Sequence, residues 1–90
     1  MIHKIKLSKF YADAVLSGQK NFEVRYNDRG YQRGDKVQFI VMDGMFHEHH
    51  PLEKETFLIT YLVHGYGLDK DWCVFGIKPM KETKEEELES

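Results

Sequence analysis

Cysteine is almost absent from this chain. Cys73 stands alone, so no internal disulfide can hold the fold, and a reducing compartment is the expectation. Proline is nearly as scarce: Pro51 and Pro79 are the two, and each closes a segment rather than interrupting one. No run of about 18 apolar residues occurs, so no membrane-spanning helix is expected. Residues Met1–Leu7 alternate apolar and basic side chains and lack the apolar run of a secretory signal, which points to the cytoplasm. A large charge of one sign is missing too. The net charge is −2, so the strongly basic footprint of many nucleic-acid binders is absent at the level of the whole chain.

What is present fits one small globular unit. Ninety residues leave no room for two hydrophobic cores, and 41% hydrophobic with 31% charged residues argues against a disordered chain. A single domain over residues 1–79 is expected, followed by a charged, acidic tail at 80–90 that reads as solvated and disordered. The charge is unevenly laid out. Residues 1–36 carry eight Lys/Arg against four Asp/Glu, residues 37–80 three against six, and residues 81–90 two against five. Any anion site must therefore be a local cluster, and the basic first segment is where to look.

Periodicity predicts the elements. Residues 2–7 alternate, with Ile5 and Leu7 on one side and Lys4 and Lys6 on the other, as a strand does. Ser8 is a suitable N-cap for a helix over 9–17, and Gly18 a suitable stop. That helix has one narrow polar stripe, Lys9, Asp13 and Ser17, so it is expected to be mostly buried. Lys20–Tyr26 alternates again, with Phe22, Val24 and Tyr26 on the expected core face and Asn21, Glu23 and Arg25 on the other. Residues 27–35 are turn chemistry. Lys36–Met42 is a strand with Val37, Phe39 and Val41 inward, and Asp43–Glu53 a polar, histidine-rich connection. Thr56–Val63 is β-rich, apolar on both faces and so central. His64–Asp71 is a glycine-broken loop, and Trp72–Ile77 the last strand. The expected fold is α+β: a sheet of about five strands curling toward a small barrel, with one N-terminal helix between strands 1 and 2.

The segment Gly18-Gln19-Lys20-Asn21-Phe22-Glu23-Val24-Arg25 carries the chemistry. Two-residue spacing puts Glu23 and Arg25 side by side on one strand face. The bland reading is a surface ion pair worth under about 1 kcal/mol. The functional reading is a polar cluster between helix end and sheet, in which Lys20 and Arg25 donate to phosphate or carbonyl oxygens and Glu23 accepts from a base or amide. Strict alternation puts Lys20 on the Phe22 face, so it joins the cluster only if the chain is not yet pleated there.

Gly18-x-Lys20-x-x-Glu23-x-Arg25 resembles the Gly-x-Lys-x-x-Glu-x-Arg signature of ASCH domains in the PUA-like superfamily. More closely, the chain resembles small stand-alone bacterial and phage domains of unknown function in that superfamily. The blocks that match are His3–Leu7, Ala14–Gly18, Phe22–Arg29, Gly34-Asp35, Ile59–Leu62, Gly67-Leu68 and Val74–Ile77. The resemblance implies a PUA-like β-barrel that binds RNA, single-stranded nucleic acid or a nucleotide at a cleft lined by Lys20, Glu23 and Arg25, with Asn27, Asp28 and Arg29 continuing the site. Tyr26 and Tyr31 would offer faces for a base, and Arg29 and Arg33 would hold phosphates. The plainer readings are that Tyr26 packs in the core and that the arginines are solvated.

Two alternatives stand beside this one. Some small ASCH-like proteins resemble hydrolases that deacylate modified nucleosides, pairing the signature lysine with a threonine three residues on and a distant glutamate. Lys20 matches, but the threonine position is Glu23 and no distant carboxylate can be placed. A lysine without a placed partner is not a catalytic constellation, so no catalytic residue is assigned. The other alternative is a protein-interaction domain without a ligand. The run His47-Glu48-His49-His50 has no counterpart in the resembled family. His47 and His49 would share a face if extended, as zinc ligands do. No third ligand follows at a recognisable spacing, and His3 and His64 qualify only by elimination. A solvated loop is preferred, and neither metal nor cofactor is expected. Cys73 and Trp72 read as packing residues.

Overall fold

The first strand keeps its alternation and adds a buried polar residue. In β1 (Ile2–Ser8), His3, Ile5 and Leu7 turn inward and Lys4 and Lys6 outward. The computed structural model describes residues 1–65 and 67–80; of the tail expected to be disordered, all but Met80 lies outside them. Ser8 is extended and its hydroxyl accepts from the Phe10 N–H at 3.2 Å, which starts α1 (Lys9–Ser17). Gly18, at φ 88°, ends α1 and returns its N–H to the Val15 carbonyl at 3.2 Å. Glycine, having no Cβ, takes that left-handed turn without strain. The helix is not mostly buried. Ala12 and Val15 alone are covered, while Phe10 is 83% exposed and Tyr11 and Leu16 are open to solvent. A helix laid against one side of a sheet covers one stripe, and the apolar residues of α1 run almost round its circumference.

Six strands form one mixed sheet in the order β1-β3-β5-β6-β2, with β4 added to β3. The members are β2 (Phe22–Tyr26), β3 (Lys36–Asp43), β4 (Phe46–His47), β5 (Phe57–His64) and β6 (Trp72–Pro79). β1 and β3 are parallel, with Ile5 opposite Phe39 and Leu7 opposite Val41; the other pairings are antiparallel. β5 is central, as its two-sided apolar pattern implies. A register shift between Ile59 and Tyr61 breaks its alternation, so Ile59 is buried and Tyr61 is exposed.

The inner face gathers Ile5, Leu7, Val37, Phe39, Val41, Phe57, Ile59, Phe75 and Ile77, covered by Ala12 and Val15 of α1. The histidine-rich connection is more ordered than a solvated loop. It holds the β3–β4 hairpin and a 3-10 turn at Pro51–Lys54, whose Leu52 is fully buried. The sheet has six strands rather than about five, and among the described residues no ladder joins its ends, β1 and β2. No helix among the described residues is long and apolar enough to cross a membrane.

Candidate functional site

The two faces of β2 are exchanged relative to the expectation. Glu23 pairs with Phe75 and Arg25 with Cys73, and directly opposed residues share a face. Phe75 and Cys73 are fully buried, so the polar face of β2 points inward. Glu23 is 2% exposed, while Phe22, Val24 and Tyr26 are about half exposed on the outer face. The reading of Tyr26 as a core residue is therefore corrected: the alternation of β6 fixes which face is inside, and it outweighs the hydrophobicity of the short edge strand β2.

Glu23 survives burial because two cations serve it. Its Oε1 accepts from Arg25 Nε at 2.9 Å, with Arg25 Nη2 also 2.9 Å away, and its Oε2 accepts from Lys20 Nζ. Lys20 precedes the pleated strand, so alternation does not bind it and its side chain reaches the cluster. The Lys20 ammonium also donates to the Phe22 carbonyl at 2.9 Å and lies 5.3 and 5.1 Å from the Tyr11 and Phe22 ring centroids. Lys20 and Arg25 keep about a fifth of their side-chain surface exposed, against 3% for Glu23. Thus Lys20 and Arg25 reach solvent at the edge of the cluster, and Glu23 holds them together.

This cluster lies on a cleft of about 1030 Å³ between the unpaired edges of β1 and β2. Ile5, Leu7 and Tyr31 contribute apolar walls, and five cations (Lys4, Lys6, Lys20, Arg25 and Arg29) line it against two carboxylates, Glu23 and Asp28. A chain of net charge −2 thus carries a locally basic hollow. Tyr26 and Trp72, a cross-strand pair, meet edge to face at 5.9 Å and stay partly exposed on the cleft wall. Trp72 therefore does not pack away as expected.

The remaining predicted residues divide. Asp28 and Arg29 line the cleft. Asn27 instead holds the loop: its Oδ1 accepts from the Tyr31 N–H at 2.9 Å, and its own N–H donates to the Asp71 carbonyl at 2.7 Å. Tyr31 offers no free face. It is 4% exposed, wedged between His3 and Phe75 with both ring centroids 4.8 Å away, and burial pushes its hydroxyl above the usual range. Arg33 lies over the Tyr61 ring at 5.7 Å and is not among the cleft residues. Lys4, Lys6, Tyr11 and Trp72 escape a reading by motif. Their residue types are visible in the sequence, but nothing local says that the edge of β1 faces that of β2.

Away from the cleft, Cys73 is buried in the core and burial alone raises its thiol. His3 is 3% exposed and bonds Asp35 Oδ2 at 2.8 Å, which chiefly accounts for an Asp35 carboxyl held below its usual range. His50 caps the 3-10 turn through Nδ1 and meets Asp13 through Nε2 at 2.8 Å. His47 and His49 do approach each other, and Glu53 from the turn completes a group of three potential donors within 4.8 Å of one another. That third donor, six residues beyond His47, falls outside the run of histidines.

Fold and site define a small α+β protein with a basic, aromatic-walled cleft at an open sheet. Over residues 2–77 the sequence matches the family described as a domain of unknown function, DUF3850, and the chain belongs to that family. It is also similar to an uncharacterized 12.9 kDa protein in the GpA 3' region of Escherichia phage P2, at 53% identity over 36 residues. That match covers 40% of this chain and about a third (33%) of the phage protein.

Proposed function

We propose that this chain is a non-catalytic module that holds RNA, single-stranded nucleic acid or a nucleotide in the β1–β2 cleft. The observation that carries the reading is the concentration of five cations and an exposed Tyr26–Trp72 pair on one hollow of an otherwise acidic chain. Cations along a groove track phosphates, and exposed rings stack bases without demanding a sequence. Lys20, Arg25 and Arg29 would contact the ligand, with Glu23 as a positioning residue. The resemblance to ASCH domains supports the same reading. The same resemblance is what supports membership of the PUA-like superfamily, whose barrel would bring the ends of this sheet together, and a cytoplasmic setting fits it.

Binding of a labelled single-stranded RNA at low salt, followed by fluorescence anisotropy, tests the proposal. Arg25→Ala should weaken binding by about tenfold or more, as loss of a charge-assisted contact does. Lys54→Ala, distant from the cleft, should change it by less than about twofold. Affinity should fall as salt rises. Equal losses in both variants, or no binding of RNA, single-stranded DNA or nucleotides at low salt, would remove the idea. An amidohydrolase centred on Lys20 has less support, because Glu23 and the Phe22 carbonyl already engage the amine as a donor. A ligand-free interaction domain is favoured by a cleft that its own side chains fill, and this one is open.

A further inference from the structure

We propose that His47, His49 and Glu53 form a binding site for one divalent ion of the zinc class, separate from the cleft and independent of the reading given to it. Three elements bring the donors together: His47 from β4, His49 from the segment after it, and Glu53 from the 3-10 turn. The His47 and His49 rings stand 4.7 Å apart, His47 Nε2 lies 2.7 Å from Glu53 Oε2, and one donor atom of each residue falls within 4.8 Å of the others. Zinc bonds of about 2.0–2.2 Å to nitrogen and oxygen place tetrahedral ligands roughly 3.5 Å apart. Small rotations of the two exposed imidazoles would close the remaining gap. The ion would take the place of the proton shared by His47 and Glu53, and water would fill the fourth position.

The frame beneath the donors is held. The Val41 N–H donates to Glu53 Oε2 at 2.8 Å and fixes the carboxylate. Buried Leu52 anchors the turn, and His50 ties it to Asp13. Burial and bonding also exclude rival ligands. His50 has both ring nitrogens engaged, His3 is buried against Asp35, and Glu48 faces Lys9. His64 sits on β5 opposite Cys73. Two imidazoles and one carboxylate suit zinc better than calcium or magnesium, which prefer all-oxygen sets.

Titrating the full chain with Zn2+ by calorimetry, and with Co2+ by visible absorption, tests the site. One ion should bind per chain, and the Co2+ complex should show the strong ligand-field bands of tetrahedral coordination. His47→Gln and His49→Gln should each weaken Zn2+ at least about tenfold, while His64→Gln stays within about twofold of the parent. Both ligand variants should keep the metal-free circular dichroism spectrum, because the side chains removed are exposed. Unchanged affinity in the His47→Gln/His49→Gln double variant, an equal loss in His64→Gln, or no saturable binding up to about 1 mM Zn2+ would overturn the proposal.

Discussion

Glu23→Gln removes a charge while keeping the shape of the side chain, and so isolates what the buried carboxylate contributes. In the parent, one carboxylate at 3% side-chain exposure holds Lys20 and Arg25, which are 20% and 23% exposed. Taking one partner from a fully buried ion pair costs about 3–5 kcal/mol, because the charge left behind has nowhere to go. Here the survivors are cations already in contact with water, and the amide oxygen still accepts one hydrogen bond. A loss of about 2–3 kcal/mol is therefore expected. At about 4–8 °C per kcal/mol for a domain of this size, Tm should fall by roughly 10–20 °C. The exposed pair Lys9–Asp43, at 3.1 Å with side chains 37% and 54% exposed, provides the contrast. Asp43→Asn should lower the unfolding midpoint far less, and less still in high salt. Urea unfolding of both variants at low and high salt makes the comparison. If Glu23→Gln costs no more than Asp43→Asn, the carboxylate is not buried in the way described, and its positioning role falls with it.

Two further outcomes follow from packing and titration. A Cβ on Gly76 would stand 2.7 Å from Thr60 Oγ1, at the irregularity of β5. Gly76→Ala should thus cost about 1–3 kcal/mol, with most of it recovered in the Thr60→Ala/Gly76→Ala double variant; additive losses in a double-mutant cycle would refute the contact. Asp35 is held below its ordinary value of 3.8, first through its bond to His3. A depressed carboxyl contributes stability that is present above its unfolded value and lost as pH falls through the folded one. Acid unfolding should accordingly have a steeper limb below about pH 4 in the parent than in Asp35→Asn, and superimposable limbs would show that the pair carries no such linkage.

The parts legible before folding are those that neighbours in sequence decide. Ser8 and Gly18 bound α1 because capping is a contact over two or three residues. Alternation in β1, β3 and β6 gave the right inner faces because each of those strands contributes several large apolar side chains to the core. The signature from Gly18 to Arg25 drew Lys20, Glu23 and Arg25 together at short range, and those three do meet.

Composition and local pattern alone thus determined the five longer strands, the helix with its ends, and the closeness of Glu23 to Arg25. Which face of β2 is inside was settled by its partner β6, since a two-residue alternation is symmetric until a neighbour says which side holds the core. The basic cleft and the grouping of Glu53 with His47 and His49 likewise belong to the tertiary structure. Each depends on segments tens of residues apart in one case and across a turn in the other. No spacing in a single strand encodes the distance between two sheet edges.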